Sequence, residues 1–156
     1  MLLNVHVKDL ALIEDVDVCF DEGLNVLTGE TGAGKSIIIG SIGVALGAKA
    51  GKDLIRQGAE FALVELVFQV DSQETLSKLK ALDVDVEDGQ IIISRKISNG
   101  KSLIKINGQT ITASALKEIS SLLIDVHGQR DYESLVHTQK HLDILDSFAG
   151  EDIVKL

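Results

Sequence analysis

The sequence predicts an α/β fold organised around a phosphate-binding loop, and three observations carry that reading. Short runs of alternating apolar and polar residues recur along the chain, with stretches of helical period between them. The composition is 45% hydrophobic but only 3% aromatic, with no tryptophan, which describes an aliphatic core of the kind that α/β layers bury. Finally, Gly29-Glu30-Thr31-Gly32-Ala33-Gly34-Lys35-Ser36 fits the pattern G-x-x-x-x-G-K-[ST].

Residues 24–28 are a short apolar run with β-branched members, expected as a buried strand. Ile37, Ile38, Ile39, Ile42, Val44, Ala45 and Leu46 make residues 36–46 a largely buried helix. A strand thus delivers the loop and a helix leaves it. The helix N-terminus aims unpaired N–H groups, and about half a positive charge, at any bound anion. Gly29, Gly32 and Gly34 let the backbone come close to phosphate oxygens where a Cβ would intrude. Lys35 can reach β- and γ-phosphates, and the Ser36 hydroxyl can ligate Mg²⁺. Gly29, Glu30, Thr31, Gly32, Ala33, Gly34, Lys35, Ser36 and Ile37 are therefore the expected nucleotide-binding residues.

Before the loop, residues 2–10 alternate as a strand with Leu3, Val5 and Val7 on one face. Residues 11–14 bridge to a second strand, in which Val16, Val18 and Phe20 face inward. Asp21-Glu22-Gly23 is the turn that follows. These two strands predict an antiparallel β layer added to a mixed sheet. After the helix, residues 47–58 read as a Gly-punctuated loop with one turn around Asp53-Leu54-Ile55-Arg56. Residues 62–70 form a strand with Val64, Leu66, Phe68 and Val70 on one face, and Ser72 caps a helix through Leu82. Asn99-Gly100 joins two strands as a hairpin, and Asn107-Gly108 repeats that turn chemistry before a stub of strand. Thr112 caps a further helix, with Leu116 and Ile119 inward. Residues 122–126 are expected as a short strand and residues 138–150 as a last helix, with Leu142, Leu145 and Phe148 as its stripe. With no repeat or linker, residues 1–156 are expected to form one lobe.

The net charge of −9 repels phosphate backbones, so composition gives no support for extensive DNA contact by this segment. The one cysteine, Cys19, has no internal partner for a disulfide, which suits a reducing cytosol. There is no signal-peptide pattern and no run of transmembrane length, so a soluble, cytoplasmic protein is expected.

Gln129, in His127-Gly128-Gln129, follows the expected strand and can orient water or reach Mg²⁺, because its amide both donates and accepts. Asp125 is a rival. An apolar run ending in Asp has the form of a Walker B strand and would make the chain a self-contained P-loop NTPase or kinase, although no second acid follows. Arg56 can neutralise phosphate charge in cis, contact a partner in trans, or simply be solvated. His137 and His141 lack the acid of H-E-x-x-H and mark a helix start rather than a zinc site. The G-x-x-x-G match at Gly43 and Gly47 is explained by close packing.

Taken in order, Ala11-Leu12-Ile13, residues 23–39, Asp53-Leu54-Ile55-Arg56, His127-Gly128-Gln129 and Leu145-Asp146-Ser147-Phe148-Ala149-Gly150 resemble the N-terminal head segment of the RecN family, bacterial DNA repair ATPases related to SMC proteins and ABC-type ATPases. The resemblance implies an ABC-type head half, whose coiled coil, signature motif, catalytic Glu and switch His belong to chain that is absent here. It makes Lys35 and Gln129 the catalytic contributions of this half, with Ser36 and Gln129 at Mg²⁺, and makes ATP the nucleotide. It further implies three partners: the C-terminal half of the same head, a second head in a homodimer, and DNA held by the complete protein. Leu10 stands where family members often carry an aromatic, so adenine preference comes from the resemblance alone. It also demotes Asp125 to an acid beside the glutamine loop. An ATP-gated clamp with little turnover is the alternative within the same family, and the self-contained NTPase is the alternative outside it.

Overall fold

In the computed structural model the described residues are 1–28, 33–99 and 101–126. They divide between two contact units, Met1–Ile124 and Asp125–Leu156; only Asp125 and Val126 of the second are described. The first unit carries a six-stranded sheet of order β2-β1-β3-β4-β5-β6, antiparallel at every pairing. Its strands are β1 (Leu2–Leu10), β2 (Ile13–Cys19), β3 (Phe61–Gln69), β4 (Gln90–Ser98), β5 (Lys101–Ile106) and β6 (Gln109–Thr110). The helices are α1 (Ala33–Ala45), α2 (Gln73–Ala81) and α3 (Ala113–Leu123), and a 3₁₀ turn covers Lys52–Leu54.

Period-two alternation decides which face is buried. Val5 and Val7 of β1, Ala62, Val64, Leu66 and Phe68 of β3, and Ile91, Ile93 and Ile97 of β4 line one face, all at 0–1% exposure. α1 packs on that face against β1, β3 and β4. Leu79 of α2 and Leu116 and Ile119 of α3 join the same apolar cluster. Leu10 is buried out of phase with Val5 and Val7. The left-handed backbone at Asp9 (φ 52°) breaks the alternation and turns Leu10, rather than Asp9, into the core. Val16, Val18 and Phe20 are only half-buried, as suits an edge strand paired on one side to β1.

The turn chemistry follows the sequence. Ser98 pairs with Lys101 across Asn99-Gly100, and Ile106 pairs with Gln109 across Asn107-Gly108, with Asn107 (φ 46°) and Gly108 (φ 82°) both left-handed. Ser72 accepts from Thr75 N–H at the start of α2, and Thr112 from Ala115 N–H at the start of α3.

Two expected strands are absent. Residues 24–28 enter no ladder and are exposed throughout, with Leu24 at 91% and Val26 at 68%. The run adds to neither open edge of the sheet, β2 or β6, so among the described residues it has no ladder partner. Residues 122–126 also form no strand: α3 continues through Leu123, where Ile124 N–H bonds to Ser120 C=O at 3.1 Å. α1 is less covered than its composition suggests. Ser41, Val44 and Ala45 are buried, but Ile39 is 51% exposed.

Candidate nucleotide-binding site

The site is built at the N-terminal end of α1. The segment entering it is anchored by Asn25, whose Oδ1 accepts from Asp21 N–H at 3.1 Å and whose Nδ2 donates to Asp21 C=O at 2.8 Å. Gly29, Glu30, Thr31 and Gly32 lie outside the described residues, as do Gln129 with its His-Gly-Gln segment, His137, His141 and the expected last helix. What the structure describes is the helix itself, with Gly34, Lys35, Ser36 and Ile37 in its first turns.

Those residues fit a triphosphate. The first turn of α1 itself contains no Asp or Glu, and the helix N-terminus carries the positive end of its dipole. Gly34 and Ser36 are exposed and Lys35 is half-buried. A Cβ placed on Gly34 would meet nothing within 4 Å, which leaves open space beside the backbone N–H groups. Among the described residues no cluster of three or more His, Cys, Asp or Glu could hold a metal on its own. A divalent ion here would draw on the Ser36 hydroxyl and the nucleotide's own oxygens, the usual arrangement for Mg²⁺.

The other end of α1 is fastened twice. Ala48 N–H bonds to Gly43 C=O at 2.9 Å and Gly47 N–H to Val44 C=O at 3.2 Å, with Gly47 at φ 108°, a Schellman closure. Gly43 and Gly47 therefore serve the helix end, and a Cβ added to Gly47 would lie 3.5 Å from Leu116 Cδ2. Arg95 of β4 then reaches the same turn. Its Nη1 donates to Val44 C=O and, at 2.8 Å, to Ala48 C=O, while its Nε donates to Ser102 Oγ at 2.6 Å. Arg95 is 7% exposed. Burial pushes its guanidinium below the ordinary value, but an arginine stays charged in a protein. Sequence reasoning passed over this residue, although the signal was there: Arg95 continues the inward register of Ile91, Ile93 and Ile97.

Arg56 is brought to Glu14, Nη2 to Oε2 at 3.1 Å, both partly exposed. Its N–H bonds to Asp9 C=O at 2.9 Å, and Ile55 bridges to Leu10, which seats this loop along the β1–β2 hairpin. Asp125 lies just past α3 and not at the end of a strand, so the structure does not supply the geometry of a Walker B carboxylate.

A family model described as "AAA domain" matches residues 4–153. The DNA repair protein RecN of Halalkalibacterium halodurans is 43% identical over 96% of this chain and 27% of its own length. That of Bacillus subtilis is 41% identical over 98% of this chain and 27% of its length. The chain thus spans about a quarter of the curated relatives it matches. An Smc head domain with an extended coiled coil, bound to the C-terminal domain of ScpA, from Pyrococcus furiosus, superposes with a TM-score of 0.69 at 22% identity, over 96% of this chain and 42% of that one. A chain from work on ATP-driven dimerization and DNA stimulated activation of SMC ATPases gives 0.68 at 20% identity, over 94% and 98% of the two chains. At such identities these two show the fold alone. The chain belongs to the AAA-domain family and is, in sequence, a RecN-like head segment.

Proposed function

We propose that residues 1–156 are the nucleotide-binding N-terminal lobe of a RecN-like ATPase acting in recombinational repair of DNA double-strand breaks, in the bacterial cytoplasm and at the nucleoid when complete. The observation that carries this is the G-x-x-x-x-G-K-[ST] sequence opening into α1, whose first turns contain Lys35 and Ser36.

ATP would lie along residues 29–36, with the loop N–H groups on its phosphates, Lys35 on the β- and γ-oxygens and Ser36 toward the metal. Mg²⁺, when bound, would supply positive charge to the phosphate oxygens. Gln129 senses the γ-phosphate or holds the attacking water. The Arg56 side chain makes a partly exposed pair with Glu14 and could be redirected to phosphate or to a partner head. The base that accepts the water's proton belongs to the C-terminal half of the head. A second head would complete each site in trans, and hydrolysis would release the clamp on DNA.

ATP turnover by this chain with Mg²⁺, alone and mixed with the C-terminal half of the head, tests the reading. Activity only in the mixture supports it. Robust activity of the chain alone, lost in Asp125→Asn, would overturn it in favour of a self-contained enzyme.

A further inference from the structure

We infer that Arg95 is a positioning residue of the phosphate cradle: by holding the C-terminal turn of α1 to the sheet, it fixes where the first N–H groups of that helix, Lys35 and Ser36, stand against a bound triphosphate. The inference rests on the proposed nucleotide site at the other end of α1.

The argument begins with what Arg95 is not needed for. The Gly43 and Val44 carbonyls of α1 are already met by the Schellman bonds from Ala48 and Gly47, so Arg95 gives Val44 C=O a second donor and adds a bond to Ala48 C=O. An inward position of β4 flanked by Ile93 and Ile97 would be filled as well by an aliphatic side chain. Burying a charge there costs free energy that an apolar residue of similar volume does not incur. Among the described residues, the Arg95 guanidinium donates to two carbonyls at one helix end and one hydroxyl of β5, and to no carboxylate. What the guanidinium adds is direction. Its planar fork ties Val44 and Ala48 of the helix end to Ser102 of the neighbouring strand, while its Cα is fixed in the ladder opposite Ile104. The positive head also faces the negative end of the helix dipole.

Leverage makes that fixation matter. A helix of 13 residues is about 20 Å long, so a tilt of about 3° about its C-terminal end moves the N-terminal N–H groups by about 1 Å. A displacement of that size in a site that works by orientation can cost up to about 10²-fold. Because Ile39 is exposed and Val44 and Ala45 carry much of the buried face, sheet packing grips α1 mainly toward its C-terminal half. The orientation of the phosphate end therefore depends on how firmly the far end is held.

The experiment compares Mg²⁺–ATP and inorganic tripolyphosphate binding by calorimetry in the parent chain, Arg95→Met, Arg95→Lys and Ser102→Ala. Leu79→Ala, at a buried position of α2 that makes none of the Arg95 hydrogen bonds, serves as a destabilised control. Arg95→Met should weaken both ligands about tenfold, the equivalent of ~1.4 kcal/mol. Arg95→Lys should recover part of the loss, because it keeps the charge but not the fork. Should Arg95→Met fail to fold, Ser102→Ala retains the guanidinium and removes one of its holds; about threefold weakening is then expected. Leu79→Ala should melt earlier but bind as the parent does below its transition. Unchanged affinity in the Arg95 and Ser102 variants, or equal weakening in Leu79→Ala, would overturn the positioning role while leaving the proposed function intact. A parent chain that binds neither ligand would overturn the proposed function and this inference with it.

Discussion

His6 Nε2 lies 2.8 Å from Asp15 Oδ1, and the same ring turns its Nδ1 to Glu65 Oε2 at 3.3 Å, so one imidazole on β1 joins the strands on both of its sides. Asp17 stands opposite His6 in the β1–β2 register, and Lys8 Nζ approaches Asp15 Oδ2 at 4.0 Å. Burial disfavours the charged ring, but the hydrogen bonds and charges of Asp15 and Glu65 outweigh it, and His6 titrates above the ordinary value of 6.5. Because the folded value is raised, the protonated ring contributes stability that is fully present below the unfolded value and is lost as pH rises through the folded one. Thermal unfolding followed from about pH 5.5 to 8.5 should show stability falling across the upper part of that range, with a flatter profile in His6→Gln. Identical profiles in the two proteins would refute the bridge.

Lys35→Ala should leave the fold intact and weaken Mg²⁺–ATP binding by about tenfold to a hundredfold, the range expected when one charge-assisted contact worth roughly 1.5–3 kcal/mol is removed. Ser36→Ala should lower the response to Mg²⁺ more than the affinity for metal-free nucleotide, because its hydroxyl is assigned to the ion. Calorimetric titration with and without Mg²⁺ separates the two. Equal loss in both conditions for Ser36→Ala would remove the hydroxyl from the metal site.

What the sequence made legible was local chemistry. Asn-Gly pairs specify left-handed turns wherever they fall, and Ser72 and Thr112 cap helices through bonds to residues three positions on, so these elements are read without knowing the rest of the chain. The helix expected after the Walker-type sequence is legible in the same way. What was not legible depends on neighbours far away in sequence. Residues 24–28 have every local mark of a strand, yet a strand exists only when paired, and no partner is found among the described residues. Leu10 enters the core only because Asp9 adopts a left-handed conformation, which no propensity announces. Arg95 looks like a surface charge until its register with Ile93 and Ile97 is counted.

Asn107 offers a direct test of how much one turn residue holds. Its Oδ1 accepts from Ile92 N–H at 2.8 Å and its Nδ2 donates to Asp85 C=O at 2.7 Å, so it joins β4 to the loop that follows α2 while itself holding a left-handed φ of 46°. Asn107→Ala removes both bonds and puts a residue that resists φ > 0 in the turn, and should destabilise by about 2 kcal/mol. Asn107→Gly keeps the turn and loses only the bonds, so it should cost about half as much. Urea denaturation distinguishes them, and equal losses would show that conformation contributes nothing at this position.

Val26, 68% exposed, and Leu24, 91% exposed, present apolar side chains from a segment with strand composition and no strand partner. An exposed apolar run without a ladder partner offers backbone and side chains to another strand. If the proposed function is right, the run becomes central only when the C-terminal half of the head supplies the flanking strands. Val26→Lys should then behave differently in two settings. In this chain alone it should change stability by no more than about 0.5 kcal/mol, as for a surface substitution. Mixed with the C-terminal half, it should prevent co-elution on size exclusion and abolish the turnover that the parent mixture shows, because an unpaired lysine would be buried between strands. A Val26→Lys protein that still assembles and hydrolyses ATP with the other half would show that residues 24–28 remain at the surface of the assembled head.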